Sequence, residues 1–62
     1  MPLIHVELFE GRTPEVQKEL MLALTDAACK TLQCSPDAVD VILKEVRREH
    51  WATGGKLWSE PR

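Results

Sequence analysis

The chain has no tyrosine, one phenylalanine and two tryptophans, and only two cysteines and three glycines in 62 residues. The cysteines, Cys29 and Cys34, fall in a helical pattern and the loop after it, and no apolar leader opens the chain. That argues against a disulfide framework and predicts two unpaired thiols in a cytoplasmic protein. His5, Cys29, Cys34 and His50 lack the paired spacing of a zinc site, so no metal is expected. No apolar run is long enough to cross a bilayer, which argues against membrane insertion. An excess of one charge is missing too: 8 basic and 10 acidic residues leave a net charge of −2, with Arg47-Arg48 the longest run of like charge. Such a surface carries no electrostatic footprint for nucleic acid. A glycine-rich phosphate loop and a nucleophilic triad are absent as well, since Gly54-Gly55 stands alone and neither His5 nor His50 has an obvious nucleophile as partner.

What is present is a short, mixed chain with a problem of size. A domain this small buries only about 60% of the surface its unfolded chain exposes, and ordering it costs about 1.5 kcal/mol per residue. With staples and metal set aside, self-association is the expected source of the missing core.

Residues 2–9 alternate, with Ile4, Val6 and Leu8 on one face and Leu3, His5, Glu7 and Phe9 on the other, the period of a strand. Large apolar groups on both faces predict that both are covered. Gly11 ends the strand, and Thr13-Pro14-Glu15 opens a helix over 14–32: Thr13 caps it, Pro14 sits where its missing N–H costs nothing, and Glu15 meets the positive end of the dipole. Val16, Leu20, Ala23, Leu24, Ala27 and Thr31 form its apolar stripe, widened by Met21, Ala28 and Leu32, while Glu15, Lys18, Glu19, Asp26 and Lys30 face solvent. Cys34-Ser35-Pro36-Asp37 breaks the pattern, and 39–46 reads as a second strand. A strand, a long helix and a strand predict parallel strands joined by a crossover. Residues 51–58, with Gly54-Gly55 between short apolar pieces, read as a tight hairpin. Its two tryptophans, Trp51 and Trp58, are too large for so small a chain to bury alone and are expected to cover a neighbour or roof a pocket. The fold class is α/β (α+β): one βαβ unit with a short C-terminal hairpin in a single domain spanning 1–62.

The unusual chemical feature is Pro2. Once an initiator methionine is removed, Pro2 carries a secondary amine that can act as a base or a nucleophile; while Met1 stays attached, the nitrogen is an amide with no basic lone pair. Pro2 opening an apolar strand, Leu8-Phe9-Glu10-Gly11-Arg12 at the strand's end, the helix, the second strand over 39–45, and His50-Trp51 ahead of Gly54-Gly55 together resemble the 4-oxalocrotonate tautomerase family of the tautomerase superfamily. The resemblance covers nearly the whole chain without an insertion.

That resemblance implies dimers with a four-stranded sheet, commonly assembled as a homohexamer, a trimer of dimers. It implies an isomerase that needs no cofactor and acts on a small-molecule carboxylate, an unsaturated 2-hydroxy or 2-oxo acid such as a 2-hydroxydienoate of aromatic degradation. Pro2 corresponds to the general base and acid, Arg12 to the arginine that binds the substrate carboxylate, and Trp51 to an aromatic position beside the amine. The backbone N–H of Phe9 is a candidate donor to a substrate oxygen. An α-amino group ordinarily titrates at about 7.7–8.0 and a secondary amine higher, so a neutral base at pH 7 needs desolvation under Trp51 and repulsion from Arg12.

Two positions depart from the family pattern. Asp40 stands where well-studied members carry a second arginine, and an acid there should disfavour a dicarboxylate. Asp40 can instead pair with Arg12, Arg47 or Arg48, and Arg47, Arg48, Lys44 or Lys56 can each stand in for the missing arginine. Thr53 stands where related dehalogenases and hydratases use a carboxylate, which weakens that alternative. A non-catalytic or partner-dependent subunit of a mixed oligomer, and Schiff-base chemistry of the same amine, are the other readings.

Overall fold

The computed structural model of the protein describes residues 2–61. The state of Met1, on which the Pro2 amine depends, lies outside the described residues. Two parallel strands, β1 (Leu3–Phe9) and β2 (Asp40–Val46), flank one helix, α1 (Pro14–Leu32), and the short strands β3 (Ala52–Thr53) and β4 (Lys56–Leu57) follow. This is the βαβ unit with a short hairpin that the apolar pattern predicted. β1 begins one residue later than the alternation suggested, because Pro2 contributes only its carbonyl, which accepts from the Asp40 N–H at 3.0 Å. β2 begins at Asp40 because Pro36–Ala38 forms a 3₁₀ turn whose Pro36 carbonyl accepts the Val39 N–H at 3.1 Å.

The register pairs Leu3 with Asp40, His5 with Ile42, Glu7 with Lys44 and Phe9 with Val46. Past its end, the Glu10 N–H still reaches the Val46 carbonyl at 3.1 Å. Gly11 at φ +119° then turns the chain, a conformation closed to most side chains. The Thr13 hydroxyl accepts from the Val16 N–H at 3.3 Å, satisfying one of the orphan donors of the first helical turn. At the other end Gln33 takes the left-handed conformation, and both its N–H and that of Cys34 bond the Cys29 carbonyl. Cys29 and Cys34 are free thiols. Burial pushes the Cys29 thiol above its ordinary value, and the neighbouring Cys34 and Asp26 push the same way.

The helix lies on the sheet through a narrower arc than its apolar stripe suggested. Gln17, Leu20, Met21, Leu24, Thr25, Ala28 and Cys29 are the half-buried positions, whereas Val16, Ala23, Ala27, Thr31 and Leu32 are exposed. Two strands are too narrow to cover the whole stripe, so its other flank stays open. Thr25 is tolerated on the covered side because its hydroxyl donates to the Met21 carbonyl at 2.8 Å. In the hairpin, Gly54 and Gly55 at φ +60° and +82° supply the two positive φ values of a type I′ turn.

No described residue is fully buried. The Cα radius of gyration is 14.7 Å, against about 11 Å for a compact domain of this length, and the molecule is 44 × 25 × 14 Å. On the sheet face away from α1, Leu3 is 62% and Ile42 52% exposed. The alternation is thus satisfied on one face only, and further burial has to come from outside the protomer. The melting temperature is expected to rise by several degrees over a hundredfold increase in protein concentration, as linkage to association requires. Ile42→Asp is expected to remove that dependence; a concentration-independent melt of the wild-type chain, with light scattering giving a monomer, would contradict this account of its stability.

Candidate active site

The residues singled out in the sequence lie at opposite ends of the sheet. Pro2 and Asp40 are at the end where β1 and β2 begin, joined by the Asp40 N–H to Pro2 carbonyl bond of 3.0 Å. Phe9, Arg12 and Trp51 are at the end where the strands finish. Seven residue steps take the chain from Pro2 to Phe9, about 23 Å of extended chain at about 3.3 Å per residue. Within one protomer, therefore, neither Trp51 nor Arg12 roofs the Pro2 nitrogen.

Phe9 organises the far end. Its ring centroid lies 4.5 Å from that of Trp51 and 5.4 Å from that of Trp58, both tilted, the geometry aromatic quadrupoles favour. The Arg48 guanidinium carbon stands 4.5 Å over the same ring. The tryptophans expected to cover a neighbour thus pack first on their own Phe9, which also anchors the hairpin. The Trp58 indole N–H donates to the Thr53 hydroxyl at 2.9 Å, and the Trp58 N–H to the Trp51 carbonyl at 2.9 Å. Arg12 curls back so that Nη1 donates to the Phe9 carbonyl at 3.2 Å, while its own carbonyl accepts from Gln17 Nε2 at 3.3 Å. Amide directions alternate along a strand, and the Glu10 N–H points at β2; the Phe9 N–H and carbonyl therefore point to the free edge of β1.

A cleft of about 270 Å³ opens beside this cluster, lined by Glu7, Val46, His50, Trp51 and Ala52. It pairs an aromatic wall with two titratable groups, the mixture of apolar surface and few polar groups that small-molecule sites favour. Among the described residues, no group of three or more His, Cys, Asp or Glu side chains could hold a metal ion. The contacts of Arg48, Glu7 and His50 were not legible in the sequence. A 3₁₀ turn at Arg48–His50 breaks the alternation after β2, so side-chain directions beyond Val46 cannot be read from a period of two.

A sequence model described as tautomerase enzyme matches residues 2–60. The chain belongs to the tautomerase family. A 2-hydroxymuconate tautomerase of Bacillus subtilis is 35% identical over 60 residues, covering 97% of each chain. The crystal structure of a 4-oxalocrotonate tautomerase homologue superposes with a TM-score of 0.87 at 45% identity, covering 100% of this chain and 98% of that one. A heterohexameric 4-oxalocrotonate tautomerase from Chloroflexus aurantiacus superposes at a TM-score of 0.93 and 35% identity, with 100% of both chains covered. Membership of the tautomerase family supports an isomerase activity in general.

Proposed function

We propose that this chain is a keto–enol tautomerase of 2-hydroxy or 2-oxo acids in which the Pro2 amine, freed of Met1, is general base and then general acid, at a site shared between protomers. The observation that carries this reading is the separation of Pro2 from Arg12 and Trp51 along a single strand. Joining two such sheets edge to edge about a two-fold axis perpendicular to them makes the joined strands antiparallel. The Pro2 end of one protomer then lies beside the Phe9 end of the other, where Arg12 and Trp51 stand.

In that arrangement the uncharged amine takes the enol O–H proton and returns a proton to the neighbouring carbon as the ketone forms. Atoms and charge balance without any other reactant. The Trp51 indole excludes water and the Arg12 cation opposes protonation, both favouring the neutral amine. Each pKa unit of lowering corresponds to about 1.4 kcal/mol, within reach of one ring and one charge. The planar fork of Arg12 suits the substrate carboxylate. Its release from the Phe9 carbonyl frees one N–H for that task. Asp40 opposes both effects: its carboxylate beside Pro2 favours the cation and repels a second substrate carboxylate. At an effective dielectric of about 20, a like-charge contact near 4 Å costs about 4 kcal/mol before screening. The preferred substrate is therefore a monoacid.

A second reading, a subunit of a mixed oligomer, draws on the same Asp40 and on the likeness to the Chloroflexus aurantiacus heterohexamer. It requires the isolated chain to be inactive or unassembled.

Enol-to-keto conversion of phenylpyruvate by a mass-verified chain lacking Met1 is expected to fall a hundredfold or more in Pro2→Ala, the usual contribution of a positioned acid–base group. Equal rates in the two proteins would end the proposal, as would full activity in a chain that keeps Met1. Asp40→Asn is expected to raise kcat/KM for 2-hydroxymuconate about tenfold while moving that for phenylpyruvate by less than threefold. An unchanged ratio between the two substrates would remove Asp40 from substrate choice.

A further inference from the structure

The end of the sheet that carries Phe9 holds more cationic chemistry than the proposed reaction has so far used. Arg12 and Arg48 reach Phe9 from different elements, one at its carbonyl, with Nη1 at 3.2 Å, the other over its ring, with Cζ at 4.5 Å. The remaining basic residues near the strand ends are engaged or set apart. Arg47 Nη2 is 3.2 Å from Glu49 Oε2, the one ion pair among the described residues. Lys44 stands opposite Glu7 in the register, and Lys56 lies in the peripheral hairpin. Of the two described arginines after β2, Arg48 is the one over the Phe9 ring, while Arg47 pairs with Glu49.

We propose that Arg48 is a specificity-determining residue of the shared site, and that Arg12 and Arg48 together grip the head of a 2-oxo or 2-hydroxy monocarboxylate, its carboxylate and adjacent oxygen. This deepens the proposed function and rests on it. Two forks set around one aromatic residue match two adjacent oxygens better than one fork does, because each guanidinium offers parallel N–H groups in a plane. The Phe9 face holds Arg48 by cation–π attraction without neutralising it, leaving its N–H groups free to donate to a ligand. Glu7 on the cleft wall and Glu45, whose Oε2 accepts from the Gly11 N–H at 3.4 Å, offset part of the positive charge. One anionic head is therefore favoured over two at this end, and Asp40 disfavours a second carboxylate at the other. The cleft of about 270 Å³ has room for a small substituent stacked on Trp51.

Binding can be separated from turnover with benzoylformate, a 2-oxo acid with no hydrogen on the carbon next to the ketone, which cannot enolise. Trp51 and Trp58 beside the site report its binding by fluorescence. Arg48→Ala is expected to weaken benzoylformate at least tenfold, whereas Arg47→Ala, which removes the same charge from a residue already paired with Glu49, changes it less than threefold. Arg48→Lys keeps the charge and loses the fork, and is expected to bind at least threefold more weakly than wild type, which keeps the test valid should Arg48→Ala fold poorly. With phenylpyruvate, Arg48→Ala is expected to raise KM at least fivefold with kcat within threefold. Equal binding by the Arg47→Ala and Arg48→Ala proteins, wild-type binding by Arg48→Ala, or no benzoylformate binding by the wild-type chain would overturn the proposal. Pro2→Ala is expected to bind benzoylformate as wild type does. Should Pro2→Ala keep its turnover while Arg48→Ala loses binding, the arginine grip stands and the role given to Pro2 falls.

Discussion

The parallel pairing of β1 with β2 is the constraint on which the rest of the structure depends. Its register fixes Leu3 beside Asp40 and Phe9 beside Val46, and so holds Pro2 and the aromatic cluster apart by the full length of the sheet. A flexible chain could fold back and bring these groups together, but hydrogen-bonded strands cannot. The same two strands leave one sheet face uncovered, with Leu3 and Ile42 exposed, and no described residue fully buried. The stability of the protomer therefore calls for burial from outside it, and in the proposed shared site the same second copy would complete the catalytic groups.

The two ends of the sheet also differ in their charged groups. Asp40 sits with Pro2, while Arg12 and Arg48 share the Phe9 end with Glu7, Glu10 and Glu45. In the proposed antiparallel association, Asp40 of one protomer would lie at the end that carries Arg12 and Arg48 of the other. In the proposed site, an acid held by the arginines would have its head toward them and its reacting carbon toward the amine. The aromatic cluster has a part in both roles: it ties the hairpin to β1, and it supplies the apolar wall of the cleft.

Much of this was legible in the sequence where local chemistry decides the outcome. The Thr13-Pro14-Glu15 start fixed the first turn of α1 whatever surrounds it, and Gly54-Gly55 allowed few backbones other than a tight turn. Alternation from Ile4 to Leu8 separated the two faces of β1 but predicted both to be covered, whereas Ile4, Val6 and Leu8 are half-buried and Leu3, His5 and Glu7 are exposed. The helix stripe was legible only as an arc. Which part of it is covered depends on the width of a two-stranded sheet, so Val16 and Ala23 read as core and are exposed, while Gln17 and Thr25 are half-buried. The candidate site residues, Pro2 and Arg12 above all, could be read from the sequence as chemical types but not as a constellation. Spacing along a chain does not reveal that two groups a strand apart can meet only through symmetry. Arg48 was one of four interchangeable basic residues in the sequence and became distinct once the 3₁₀ turn set it over Phe9.

Complementation between inactive chains tests the shared site most directly. Pro2→Ala and Arg12→Ala chains, each inactive alone, would be co-expressed and the mixed assembly assayed. A site built from two protomers predicts that every mixed pair contains one intact site and one doubly altered site, so random pairing restores about a quarter of the wild-type activity. A mixed assembly as inactive as its parents, with exchange verified by mass, would show that no site draws Pro2 and Arg12 from different chains and would contradict the account.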